Sequence, residues 1–137
     1  MKLLLDTHAY LWALGGSPRL GARTQTLIAD RGNDVFVSAA SLWEIVLKAT
    51  KLKADIPLVL HSVERIGFTV LGLSTSHLQR AFELEGLLRT DPFDRLLVAQ
   101  ADREGLWLVT DAGRILDSRT VDMIECGTGR RLRAGRR

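Results

Sequence analysis

The chain has 137 residues, 46% of them hydrophobic, with 19 Lys and Arg against 16 Asp and Glu. That length supports one domain around a sizeable core, and with Cys126 as the sole thiol it excludes disulfide-stapled and Cys-rich zinc scaffolds and favours a reducing compartment. The net charge of +3 is a property of Arg130, Arg131, Arg133, Arg136 and Arg137, since no acid follows Gly127, so overall charge is weak evidence for a nucleic-acid partner.

In chain order, Leu3-Leu4-Leu5 reads as a short buried strand, followed by a helix from Thr7 to Leu14 that Gly15-Gly16-Ser17-Pro18 breaks. A second helix is read within 19–29, and Val35-Phe36-Val37 is the second strand. Ser38 or Ser41 can cap a helix whose Leu42, Trp43, Ile45, Val46 and Ala49 form a wide apolar face. A helix over 57–66, a strand at Thr69-Val70-Leu71 and a helix over 74–85 follow. Asp91-Pro92 starts the next helix, and strands at 106–109 and 121–124 close the pattern. Short apolar strands alternating with longer helices predict an α/β fold with a mostly parallel sheet covered on both faces. The division expected is a domain over 1–125 and a basic, flexible tail over 126–137, the tail having too few apolar residues to pack. RNA, an acidic partner or solvent alone are its open roles. No apolar run approaches the roughly eighteen residues of a bilayer span, so a cytoplasmic protein without membrane association is expected.

In such a fold, ligands sit beyond the carboxyl ends of the strands. Asp6 directly follows the first strand, Asp111 comes two residues after the 107–109 strand, Glu44 lies in the helix leaving the second strand, and Asp94 lies in the first turn of the helix preceding the 107–109 strand. Like carboxylates gathered at one edge repel, and a hard divalent cation such as Mg²⁺ or Mn²⁺ relieves that repulsion. Each acid also has a structural reading: Asp6 and Asp111 as helix caps, Glu44 and Asp94 at capping-box spacing, Glu44 alternatively paired with Lys48.

The runs Leu3-Leu4-Leu5-Asp6-Thr7-His8 with Leu11-Trp12, Ser38-Ala39-Ala40-Ser41-Leu42-Trp43-Glu44-Ile45, Asp91-Pro92-Phe93-Asp94-Arg95-Leu96-Leu97-Val98-Ala99-Gln100-Ala101 and Leu108-Val109-Thr110-Asp111 together resemble a PIN-domain ribonuclease of the VapC toxin type. The likeness runs from Met1 to about Ile124. It implies a three-layer α/β/α fold, a Mg²⁺- or Mn²⁺-dependent endoribonuclease acting on RNA (transfer RNA among the candidates), a cognate antitoxin and a homodimer. It places the acids on Asp6, Glu44 and Asp94, the last because the Arg-Leu-Leu-Val-Ala run follows it. Similar proteins often carry the fourth acid where this chain has Ala112, so Asp111 stands one residue early. Many also have a His where this chain has Arg89, and no histidine is assigned to catalysis.

Among the remaining residues, Thr7 and Thr110 follow strands and can hydrogen-bond a carboxylate or a metal-bound water, and Arg95 can hold a phosphate. His8, the histidine nearest Asp6, could touch substrate but is read as a helix-surface residue, and Trp12, Trp43 and Trp107 as core or dimer contacts rather than base-stacking platforms. The histidines lack the HExxH spacing of zinc hydrolases, and Asp6-Thr7-His8 lacks the Asp-x-Asp of aspartyl phosphatases. The competing class is a non-catalytic PIN-like RNA- or protein-binding module with a degraded metal site.

Overall fold

Along β1 (Lys2–Leu5) successive side chains face opposite ways, and both ways lead into apolar packing. The computed structural model describes residues 1–86, 88 and 91–135. Leu3 and Leu5 join a cluster with Tyr10, Val35, Val37, Ile45, Val59 and Val63, whereas Leu4 joins one with Leu97, Val98, Leu108, Ile115 and Met123. The sheet is therefore buried on both faces between two helical layers, the three-layer α/β/α arrangement predicted.

Six strands take part, β1, β2 (Asp34–Ser38), β3 (Thr69–Leu71), β4 (Trp107–Thr110), β5 (Met123–Glu125) and β6 (Arg131–Leu132), in the order β3-β2-β1-β4-β5-β6. The first five are parallel, and β6 runs antiparallel to β5. The chain thus builds outward from β1 in one direction to β3 and in the other to β6. The switch point lies between β1 and β4, where Leu5 stands beside Val109 and the Asp6 amide donates to the Val109 carbonyl at 3.0 Å.

The first helical layer holds α1 (Thr7–Gly15), α2 (Ala22–Ala29), α3 (Ala39–Leu47), the single turn α4 (Ala49–Leu52) and α5 (Ile56–Arg65). The second holds α6 (Thr75–Glu83), α7 (Pro92–Glu104) and α8 (Gly113–Ser118). Side chains set the helix starts: Ser38 accepts from the Ala40 amide, Asp55 from Leu58, Ser74 from His77, and Asp91 from Phe93 and Asp94. Ser38, not Ser41, is therefore the α3 cap, so Glu44 stands beyond capping-box range.

One expectation needs correction. Within the basic segment read as a flexible tail from Cys126 onward, Arg131–Leu132 form β6 of the sheet: Cys126 is fully buried, Leu132 is buried in the second cluster, and Gly129 turns the chain at φ +70°. One apolar residue among arginines suffices because β5 supplies the hydrogen-bonding partner. Arg136, Arg137 and Arg89 lie outside the described residues. Among the tryptophans, Trp12 and Trp107 pack partly on the core, but Trp43 is 57% exposed on α3. Among the described residues, no helix is long and apolar enough to cross a membrane.

Candidate metal centre

Asp6 ends β1 and starts α1, and both jobs fall on its side chain. Its Oδ1 accepts from the Ala9 amide at 2.7 Å, capping the helix, while the Thr110 hydroxyl at the end of β4 also hydrogen-bonds the carboxylate. Thr110 is itself fixed by accepting from the Ala112 amide at 3.0 Å. Asp6 is 5% exposed, and burial pushes its carboxyl above the ordinary carboxylate range, against the opposing hydrogen bonds from Thr110 and Ala9.

Glu44 reaches the same edge from α3. Its Oε1 accepts from the Thr7 hydroxyl at 2.6 Å, and its Oε2 pairs with Lys48 Nζ at 2.7 Å one turn later. The Thr7 bond ties α3 to α1 across the top of the sheet. The structural reading of Glu44 as a partner of Lys48 is met too, and it does not remove the residue from the acidic edge.

Asp94 arrives from the second layer. Because α7 leads directly into β4 and runs back along the sheet, its N-terminus lies at the carboxyl edge of the strands. Asp91 caps that end, leaving Asp94 as the acid turned toward the others. Burial pushes the Asp94 carboxyl up to about 6, and repulsion from Asp6, Asp91 and Glu44 adds to the shift, with Lys48 opposing.

Asp111 is exposed, and its Oδ1 accepts from the Gly127 amide at 3.2 Å. It does not cap α8, whose N-cap Ala112 makes no side-chain bond. It faces Asp6 closely enough to raise that carboxyl's pKa, and with Asp6 and Asp94 it lines a cleft of about 240 Å³. His8, Trp12, Arg19 and Ala112 complete the lining.

Three of the four predicted acids, Asp6, Asp94 and Asp111, line the cleft; Glu44 does not, although its charge acts on Asp94, and Thr7 and Thr110 hold Glu44 and Asp6 respectively. Arg95 does not line the cleft, and its buried Nε has no hydrogen-bond partner. Sequence reasoning weighed His8 and Trp12 but read them as a helix-surface residue and a core or dimer contact, and it missed Arg19 beside them. The four-residue spacing of His8 and Trp12 on α1 signals a shared helix face, whereas Arg19 reaches the cleft from beyond the Gly16 turn and carries no such signal.

The donors are all carboxylate oxygens, the hard set that suits Mg²⁺ or Mn²⁺ and not a thiolate- or imidazole-seeking ion. Burial is the main cause of the upward shift at Asp94 and repulsion from Asp6, Asp91 and Glu44 adds to it, so the residues fit a divalent cation in donor type and in the sign of their charge. Among the described residues no three His, Cys, Asp or Glu side chains form a ready-made metal-binding group. Glu44, Asp6 and Asp111 are each engaged by a neighbour of their own.

Residues 3–117 match the PIN domain family model. No curated protein matches the chain. Among solved structures, it is similar to VapBC2 from Rickettsia felis bound to a promoter DNA fragment, at 20% identity and TM-score 0.62 over 81% of this chain and 88% of that one. It is also similar to a toxin-antitoxin complex from Klebsiella pneumoniae, at 23% identity and TM-score 0.57 over 81% and 91%. VapBC-1 from nontypeable Haemophilus influenzae aligns at 16% identity and TM-score 0.61 over 85% and 94%. These identities speak for the fold, and the family match, which runs from β1 into α8 and takes in all four acids, makes the chain a member of the PIN domain family.

Proposed function

We propose that this chain is the toxin of a VapC-type toxin-antitoxin pair and acts as a metal-dependent endoribonuclease. The observation that carries the proposal is the convergence of Asp6, Glu44 and Asp94 at the switch point, where burial and mutual repulsion hold the Asp94 carboxyl near 6. Asp6, Glu44 and Asp94, with Asp111 as the fourth, would hold one or two Mg²⁺ or Mn²⁺ ions. Such ions supply charge neutralisation at the phosphate and a water of lowered pKa.

The chain's own residues do the rest. Thr7 fixes the rotamer of Glu44, and Thr110 with the Ala9 amide fixes Asp6, so the two acids nearest the sheet are preorganised. Lys48 balances the charge of Glu44 from outside the cleft. Water attacks phosphorus in line, the P–O3′ bond breaks, and the products carry a 5′-phosphate and a 3′-hydroxyl. An antitoxin segment entering the same cleft would block it, a partner suggested by the toxin-antitoxin complex among the similar structures. A homodimer in the cytoplasm is the proposed state of the free toxin.

The test is incubation of the purified chain with labelled RNAs, transfer RNAs included, in Mn²⁺, in Mg²⁺ and in chelator. Discrete cleavage that needs the ion and vanishes in Asp94→Asn is expected. One observation favours a second reading, a non-catalytic module: Glu44 is already neutralised by Lys48. That reading gains if the ions neither promote cleavage nor stabilise the fold.

A further inference from the structure

Facing the acids, the cleft has a wall of different chemistry. Trp12 packs one side of its indole on the core and remains only partly buried. The His8 ring lies 5.8 Å from it at 29°, and the Arg19 guanidinium carbon stands 5.7 Å from its ring centroid. All three line the same cleft as Asp6, Asp94 and Asp111.

The fold does not require this arrangement. His8 and Arg19 are exposed, and among the described residues Arg19 forms no ion pair although acids border the same cleft. Among the described residues Arg19 is the sole permanent cation of the lining. A cleft edged by carboxylates repels a phosphodiester chain, so a substrate needs an attachment beside them that offers a positive charge and an apolar plane.

We infer that His8, Trp12 and Arg19 form a substrate-positioning wall: the exposed Arg19 guanidinium swings from the Trp12 ring to a phosphate, and one unpaired base of a single-stranded RNA stacks on the indole in its place. This rests on the nuclease reading of the acids. An unpaired base is required because a duplex presents only base edges in its grooves, whereas a splayed base offers its face to an indole. In the free chain Arg19 rests over the ring, and its place beside the indole marks where the backbone passes.

The experiment follows tryptophan fluorescence of the full chain on titration with a short unstructured oligoribonucleotide in chelator, then cleavage rates with Mn²⁺. Trp12→Leu is expected to abolish the quenching component and weaken binding about 5- to 150-fold, Trp12→Phe to restore most of it, and a duplex of the same sequence to be indifferent to both. Arg19→Gln is expected to lower the slope of log affinity against log salt by about 0.7. If Trp12→Leu fails to fold, the exposed variants Arg19→Gln and His8→Ser carry the test, and parent-like binding by both overturns the wall. Cleavage that needs the ion and Asp94 but ignores all these variants overturns the wall and leaves the nuclease standing. Binding through Trp12 without any cleavage does the reverse, and a chain that neither binds nor cuts overturns both.

Discussion

The Asp94 carboxyl titrates near 6 in the folded chain against about 4 when unfolded, so the native state holds its proton more tightly. Stability from this group is therefore fully present below about pH 4 and is lost as pH rises through 6. Denaturant unfolding in chelator should show the parent losing stability across that window, and Asp94→Asn should flatten the slope. Thr7→Val tests the tie between α1 and α3: it leaves Glu44 Oε1 without its donor and should cost about 1–3 kcal/mol in the same assay. At this scale the sequence was informative about which acids the fold brings near one another. Acids at strand ends and helix starts stand out in the text of the chain, as do Thr7 and Thr110. Their partners do not, because Thr7 meets Glu44 across 37 residues and Arg19 reaches Trp12 only through the turn that follows α1.

The strands were legible at the level of elements because Leu3-Leu4-Leu5 and Leu108-Val109 are apolar runs buried on both faces, with turn residues around them. β6 was hidden, since two residues amid arginines have no periodicity and owe their conformation to β5. α4 escaped for the same reason of length. The exposure of Trp43 also ran against its apolar neighbours, which place it on a helix but not on which flank of the stripe. A prediction belongs to the hairpin of β5 and β6. A Cβ on Gly21 would stand 2.1 Å from the Gly127 carbonyl oxygen, so Gly21→Ala must part the start of α2 from the hairpin turn. The expected loss is about 1–3 kcal/mol by thermal or denaturant unfolding.

For the whole molecule, the largest lever is the charge at the switch point. An ion that binds only the folded chain stabilises it by about 2.7 kcal/mol at a hundred times its dissociation constant. Mn²⁺ should therefore raise the melting temperature of the parent by several degrees, and Asp6→Asn should abolish most of that rise. Equal shifts in both proteins would count against Asp6 as a ligand.

The two residues Cys126 and Gly127 hold more than a turn. The Cys126 carbonyl accepts from the Gly21 amide at 3.0 Å and from the Thr24 hydroxyl at 2.7 Å, its amide donates to Thr110, and the Gly127 amide donates to Asp111. The loop bearing the fourth acid is thus clamped by chain that is synthesised later than every acid in the cleft. A nascent polypeptide on the ribosome carries Asp6, Glu44, Asp94 and Asp111 before it carries the clasp that sets the last of them. That side of the cleft is completed only when the hairpin docks, so a truncated product ending before Cys126 should leave Asp111 and the start of α2 without their clasp.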